Sequence, residues 1–168
     1  MTPSDAAEWH QLSRSAAQTE AVGARLAAAL PPAEHGPAVI DLSGDLGAGK
    51  TTLARGFLRQ LGWAEPVRSP TFTLLECYEC SDVVVVHADL YRVRDAAELD
   101  LLGLRDLARA GHVWLIEWPE RGAGHLPPCD LRIHLVVAAE GHPLSIAARS
   151  PLGQRWLARA VELSREAT

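Results

Sequence analysis

The sequence predicts an α/β fold, a three-layer sandwich with a mostly parallel, partly antiparallel central sheet. Two apolar runs, at 38–42 and 112–118, have the length and composition of buried strands, and other stretches carry apolar residues at helical spacing. Alternation of such strands and helices is typical of parallel sheets. Two further pairs of strand-like runs, within 71–91 and 131–149, are separated only by short turns, which predicts antiparallel hairpins.

Residues 5–62 supply three predicted elements. We predict a helix over 5–30 that ends at the following prolines, a strand over 38–42, and a helix over 50–62 that ends in a glycine. The apolar positions of the first helix include Leu12, Ala16, Val22, Leu26 and Leu30. Those of the second are Leu53, Phe57, Leu58 and Leu61.

Residues 71–166 supply the remaining elements. They are strands over 71–79 and 82–91, one or two short helices over 96–111, a strand over 112–118, a helix stub and loop over 119–130, and a hairpin of 131–140 with 142–149. An amphipathic helix over about 151–166 is expected to pack on the rest. No repeat or long linker divides the chain, so residues 1–168 are predicted to form a single domain.

Composition limits the function as well as the fold. The 168 residues are 48% apolar, which is enough for the core of one domain. No run approaches the roughly 18 apolar residues of a membrane span, and the N-terminus is too polar for a signal peptide. We therefore expect a cytoplasmic protein with no membrane partner. The net charge of −5 disfavours a surface that binds nucleic acid by neutralising phosphates alone, so such a role would be indirect.

One segment carries a specific chemical signature. "GDLGAGKT", from Gly44 to Thr51, fits the phosphate-loop (P-loop) pattern between a predicted strand and helix, and its Lys50 is the only lysine in the chain. The glycines let backbone N–H groups face phosphate oxygens, the lysine reaches the outer phosphates, and the threonine hydroxyl holds Mg²⁺. The predicted nucleotide-binding residues are Gly44, Asp45, Leu46, Gly47, Ala48, Gly49, Lys50, Thr51 and Thr52. The predicted fold is therefore that of P-loop NTPases, and we expect the Lys50 side chain to face solvent when the loop is empty.

Two carboxylates at strand ends are candidates to complete a magnesium site. Glu117 follows the buried run "VWLI", at the kind of strand end where open α/β sheets bind ligands. Asp89 ends a strand with four valines and is a rival or a partner. Aspartate is the more common residue at such a position, so Glu117 is an imperfect match.

The predicted nucleotide is ATP or ADP. Guanine-specific hydrolases of this class use an Asn-Lys-x-Asp element, whereas this chain has no asparagine and no second lysine. It also lacks the Leu-Ser-Gly-Gly-Gln signature of transporter ATPases. ATP is therefore the better interpretation.

Five segments together resemble a known family. "GDLGAGKTTLARGFLRQLG", "VRSPTFTLLECY", "HADLYR", "ELDLLGL" and "LIEWPERG" follow one another with the order and spacing of the TsaE family, across residues 19–135. The resemblance implies a small bacterial ATPase required for threonylcarbamoyladenosine (t6A) modification of tRNA. It also implies that the TsaB and TsaD proteins are partners, and that the chain acts on tRNA only indirectly, through them.

The resemblance further implies roles for individual residues. The expected catalytic residues are Lys50, Thr71, Asp89 and Glu117, with Thr71 in a switch-like loop that begins at Ser69. The expected Mg²⁺ ligands are Thr51 and Glu117, the latter in the Walker B position. The residues expected beside the nucleotide, in addition to the loop, are Thr19 and Trp118.

Two other functional classes remain open at this point. A small-molecule kinase shares the loop and closes an arginine-bearing lid over ATP. The candidate lid residues are Arg92, Arg94, Arg105 and Arg121. A nucleotide-sensing module would instead use ATP to order the "SPTFTL" segment, with incidental hydrolysis. For the ATPase we expect slow turnover alone and stimulation by partners, because no arginine of the chain has an obvious lid context.

Overall fold

The computed structural model describes residues 7–32 and 34–166. The strands are β1 (Glu8–Ser13), β2 (Ala38–Ser43), β3 (Leu75–Glu79), β4 (Val84–Asp89), β5 (His112–Glu117), β6 (Leu131–Leu135) and β7 (His142–Ala148). The α-helices are α1 (Ala16–Ala28), α2 (Lys50–Gln60), α3 (Leu104–Leu107) and α4 (Pro151–Glu166). Two 3-10 helices, Ala96–Leu102 and Pro119–Gly122, complete the described elements.

The seven strands form one mixed sheet in the order β1-β7-β6-β2-β5-β4-β3. The central strands β6, β2, β5 and β4 run parallel to one another, whereas β7, β1 and β3 pair antiparallel at the two edges. The predicted α/β sandwich with a partly antiparallel sheet is confirmed, as are both predicted hairpins. The parallel arrangement brings the carboxyl ends of β2, β4 and β5 to the same edge of the sheet.

Each face of the sheet carries its own apolar cluster. Alternate residues of a strand point to opposite faces, and on β5 Val113 and Leu115 join one cluster while Trp114 and Ile116 join the other. The first cluster includes buried residues of α1, α2 and α4, and the second includes residues of the 3-10 helix Ala96–Leu102 and of α3. The sheet and the helices packed on its two faces form the three layers of the sandwich.

Helices α1 and α2 pack with their backbones in close contact. A Cβ atom added to Gly23 would lie 2.0 Å from the carbonyl oxygen of Leu53, and one added to Gly56 would lie 2.0 Å from that of Glu20. Only glycine permits this approach, because any side chain would displace a backbone. The contact fixes α2, and therefore its N-terminus, against the rest of the fold.

The prediction of a helix throughout 5–30 is wrong for residues 8–13, which form β1. This strand pairs antiparallel with β7, from Glu8 opposite Ala147 to Ser13 opposite His142. The helix begins after Ser15, whose side chain accepts a hydrogen bond from the Gln18 backbone N–H. Sheet pairing therefore overrides the local helical pattern, and the predicted residues 5 and 6 lie outside the described residues.

Other boundaries differ by a few residues. The strand predicted over 71–79 covers only Leu75–Glu79, so that 71–74 belong to the preceding loop. The strand predicted over 131–140 ends at Leu135, and Ala138 and Gly141 form an isolated bridge in the following turn. Within the described residues, no helix is long and apolar enough to span a bilayer.

Candidate nucleotide-binding site

A cavity of about 310 Å³ lies where the carboxyl ends of β2, β4 and β5 meet the N-terminus of α2. Its lining residues come from the glycine-rich loop, the first turn of α2, the loop before β3, and the ends of β4 and β5 with the residues just after them. They are Leu46, Gly47, Gly49, Lys50, Thr51, Thr52, Ser69, Thr71, Asp89, Tyr91, Glu117 and Trp118. This is the edge at which open parallel sheets bind ligands.

The glycine-rich loop between β2 and α2 has a conformation that ordinary residues rarely adopt. Gly44, Gly47 and Gly49 have φ angles of +137°, +79° and +107°. A Cβ atom on Gly44 would also lie 2.2 Å from the Leu135 carbonyl oxygen on the neighbouring strand β6. Gly49 is the N-cap of α2, which provides no side-chain cap, so that the first helical N–H groups remain available to an anion.

Lys50 is buried rather than exposed, so the expectation that its side chain faces solvent is wrong. It is only 5% exposed, because Nζ turns back to donate to the carbonyl oxygens of Gly44 and Asp45, at 2.6 and 2.8 Å. Nζ also lies 4.5 Å from the centroid of the Trp118 ring. Burial lowers the pKa of Lys50, while the carboxylates of Glu117 and Asp89 oppose that change.

Glu117 connects the glycine-rich loop to the sheet. Its carboxylate oxygen Oε1 accepts a hydrogen bond from the Thr51 hydroxyl, at 2.9 Å, and lies 2.8 Å from His87 Nε2. The Glu117 residue is 3% exposed and His87 is fully buried. Thr51 and Glu117, the two expected Mg²⁺ ligands, are therefore in contact.

Asp89 lies beside Glu117, because the register of β4 and β5 pairs these two residues. Its carboxylate accepts hydrogen bonds from the Ser69 hydroxyl and from the Tyr91 backbone N–H. In the same loop as Ser69, the Thr71 hydroxyl donates to the Ser69 carbonyl oxygen at 3.3 Å. The loop before β3 is thus tied to the end of β4 at the rim of the cavity.

Trp118 follows β5 in a left-handed conformation, with φ of +57°, that is uncommon for a tryptophan. Its ring lies 5.0 Å from that of Tyr91, and the Arg121 guanidinium lies within 5.3 Å of the Tyr91 ring centroid and 6.0 Å of that of Trp118. The three side chains form one cluster, which holds the indole against the cavity and against Lys50.

Most of the predicted site residues line the same cavity. They are Leu46, Gly47, Gly49, Lys50, Thr51, Thr52, Thr71, Asp89, Glu117 and Trp118. Gly44 and Asp45 contribute through their carbonyl oxygens, and Ala48 is buried beneath the loop. Thr19 does not line the cavity: its hydroxyl contacts Ser13, and its methyl group lies 3.4 Å from where a Gly49 Cβ would be.

His87 and Tyr91 contact site residues but were not predicted from the sequence. A signal for His87 was present, because it is the one polar residue within the run "VVVVHA" and shares a strand face with Asp89, two residues later. Tyr91 follows Asp89 by the same interval but lies beyond the strand. The side-chain contacts of His87 with Glu117 and of Tyr91 with Trp118 join residues that are distant in sequence.

The donor set of the cavity fits Mg²⁺. Magnesium prefers oxygen ligands and is usually held by one or two protein groups together with substrate phosphates and water. Thr51 and Glu117 offer a hydroxyl and a carboxylate, 2.9 Å apart, next to the loop. Among the described residues, His, Cys, Asp and Glu form no group of three or more that could hold a metal ion.

The fold and the site together define a P-loop nucleotide-binding protein. A family model described as "Threonylcarbamoyl adenosine biosynthesis protein TsaE" matches residues 13–143. The chain belongs to the TsaE family.

Curated relatives and a solved structure are similar to the chain over most of its length. The tRNA threonylcarbamoyladenosine biosynthesis protein TsaE of Haemophilus influenzae is 40% identical over 116 residues, covering 69% of this chain and 73% of the relative. That of Bacillus subtilis is 34% identical over 148 residues, covering 88% and 89%. The crystal structure of YdiB from B. subtilis superposes with a TM-score of 0.68 at 28% identity, covering 96% of this chain and 97% of YdiB.

Proposed function

We propose that the chain is a single-domain, Mg²⁺-dependent ATPase that serves t6A modification of tRNA in the cytoplasm. One observation carries the proposal: the Thr51 hydroxyl and the Glu117 carboxylate meet at 2.9 Å beside a glycine-rich loop whose helix N-terminus is uncapped. A hydroxyl and a carboxylate next to a phosphate loop are what a magnesium nucleotide requires. Membership of the TsaE family supports the role in t6A biosynthesis.

The proposed phosphate site uses the loop backbone, Lys50 and Thr51. Loop N–H groups and the start of α2 bind the phosphates, and Lys50 exchanges the carbonyl oxygens of Gly44 and Asp45 for phosphate oxygens. Thr51 and Glu117 would hold Mg²⁺, which neutralises charge on the phosphates when bound. The buried ammonium of Lys50 is effective here because little water screens it.

Asp89 and Thr71 are the proposed residues at the reacting end of the nucleotide. Asp89 is an acceptor that lies beside Glu117 and is held in place by Ser69 and the Tyr91 backbone. We propose that its carboxylate orients the attacking water and that the Thr71 hydroxyl supports it from the facing loop. Trp118 is proposed to flank the nucleotide, whereas Thr19 is proposed to act indirectly, by supporting Gly49 from behind.

The ATPase is proposed to be slow alone and to be stimulated by TsaB and TsaD. Phosphoryl transfer commonly uses an arginine opposite the phosphate loop, and this group can come from another protein. None of the described arginines lines the cavity. The net charge of −5 also favours docking on proteins over direct binding of tRNA. The chain would therefore reach tRNA only through these partners.

Turnover measurements test the proposal. ADP and inorganic phosphate are measured for the protein alone, with TsaB and TsaD added, and for Thr71→Ala and Asp89→Asn. We expect equal amounts of both products, stimulation by the partners, and loss of that stimulated rate in both variants. Thr73→Ala, in the same loop but outside the cavity, is the matched control and should behave as wild type.

Two results would contradict the proposal. Fast hydrolysis by the protein alone, unchanged by TsaB and TsaD, would exclude partner stimulation. Formation of ADP without equivalent phosphate, and only when an acceptor hydroxyl compound is present, would favour the small-molecule kinase.

A further inference from the structure

His87 is a buried polar residue that the proposed function does not use. It occupies a β4 position that is fully buried and follows four consecutive valines. Its Nδ1 atom is buried and has no hydrogen-bond partner among the described residues. An unpaired buried polar atom is unfavourable, and a valine at this position would avoid it. A reason for a histidine at this position must therefore lie in the other ring nitrogen, Nε2.

Among the described residues, the hydrogen-bond partner of Nε2 is Glu117. The distance from Nε2 to Glu117 Oε1 is 2.8 Å. The register pairs His87 with Leu115, two residues before Glu117, so the two side chains lie on the same face of adjacent parallel strands. A carboxylate oxygen accepts hydrogen bonds, so we assign the hydrogen of this contact to Nε2.

The contact orients Glu117 toward Thr51. Oε1 receives both His87 Nε2 and the Thr51 hydroxyl, at 2.8 and 2.9 Å, and Oε2 takes part in neither contact. Two donors on one oxygen fix the carboxylate in one orientation. The imidazole is rigid and enclosed by the sheet, so it acts as a fixed reference for that orientation.

We propose that His87 is a positioning residue that holds the Glu117 carboxylate in the orientation that binds Mg²⁺. This inference rests on the proposed function, because it assumes that Glu117 serves a magnesium nucleotide. His87 acts through Glu117 and does not itself contact the metal or the nucleotide. Partners that orient a metal ligand by hydrogen bonding typically change metal affinity or activity by about 10–100-fold when they are removed.

The test measures how much Mg²⁺ strengthens ADP binding, by calorimetric titration of the full chain with and without EDTA. For wild type we expect tighter binding with Mg²⁺. His87→Leu keeps an apolar side chain in the strand and removes the donor, so it should lose about 10–100-fold of the Mg²⁺-dependent gain. Its affinity for ADP in EDTA should stay that of wild type, since Lys50 and the loop are untouched.

Two polar variants separate positioning from folding. In His87→Gln the amide nitrogen reaches about as far as Nε2, so this variant should keep most of the gain. In His87→Asn the amide is at the level of Nδ1 and should fail to reach Glu117, so the gain should be lost. If His87→Leu does not fold, the comparison of His87→Gln with His87→Asn tests the proposal. Val85→Ala, a buried change in the same strand, is the control for lost stability and should keep the gain.

The possible outcomes distinguish this inference from the function on which it rests. No ADP binding, or no gain from Mg²⁺ in wild type, would overturn the proposed function and the inference with it. A wild-type gain that persists in both His87→Leu and His87→Asn would overturn the inference alone. Loss of the gain in His87→Gln as well would also overturn it, because a donor to Glu117 would then be insufficient.

Discussion

Gly44 and Gly47 provide a matched pair that tests the geometry of the glycine-rich loop. Both have positive φ angles, +137° and +79°, but their surroundings differ. An alanine Cβ at Gly44 would lie 2.2 Å from the Leu135 carbonyl oxygen, whereas one at Gly47 would meet nothing within 4 Å. Gly47→Ala therefore carries the backbone cost alone, and Gly44→Ala adds a collision with strand β6.

The difference between the two variants can be estimated. A side chain in a left-handed conformation costs about 1–2 kcal/mol, which applies to Gly47→Ala. For Gly44→Ala the backbone cost is about 1–3 kcal/mol, and relief of the overlap adds about 1–3 kcal/mol. At about 2–4 °C per kcal/mol for a chain of this size, we expect a Tm decrease of about 12 °C for Gly44→Ala and about 4 °C for Gly47→Ala.

Thermal unfolding of the three proteins without nucleotide, followed by circular dichroism, measures these decreases. Omitting nucleotide excludes any contribution from ligand binding to the Tm. Equal Tm values for Gly44→Ala and Gly47→Ala would refute the reasoning, because the close approach of Gly44 to β6 would then not exist.

Three further predictions concern the site and the cysteines. Glu117→Ala should abolish ATP hydrolysis, measured by phosphate release, but still bind ADP in EDTA, because the loop and Lys50 still hold the phosphates. Nucleotide should change the intrinsic fluorescence of wild type but not of Trp118→Phe, since only that indole lines the cavity among the described tryptophans. Burial raises the pKa of Cys129 to about 12, so at pH 8 this thiol should be alkylated far more slowly than exposed Cys77. The alkylation rate of Cys129, followed by mass spectrometry, should increase with pH.

The loop and the strand ends could be predicted because their signals are local. The eight-residue pattern from Gly44 to Thr51 predicts a loop between a preceding strand and a following helix, and Glu117 directly follows an apolar run. A parallel sheet then brings strand ends to one edge whatever the order of its strands. Such features need no knowledge of distant contacts.

Features that depend on distant contacts could not be predicted. Residues 8–13 form a strand because β7, more than 120 residues later, offers an unpaired edge. The Ser15 cap, with Gln18 three residues later, was the one local sign that the helix begins there. Lys50 is buried because Gly44 and Asp45 carbonyls and Trp118 surround it, and the sequence does not give that folded-back geometry.

Calorimetric titration with Mg–ADP tests most directly whether the cavity binds a nucleotide through Lys50. We expect saturable binding to wild type. The affinity of Lys50→Met for Mg–ADP should be lower by about 100-fold or more, because charge-assisted hydrogen bonds contribute about 1.5–3 kcal/mol each. Methionine fills the volume of this buried side chain without its charge, so the variant should keep the wild-type circular dichroism spectrum. Equal affinity for Mg–ADP in Lys50→Met and wild type, or no binding to wild type, would contradict the assignment.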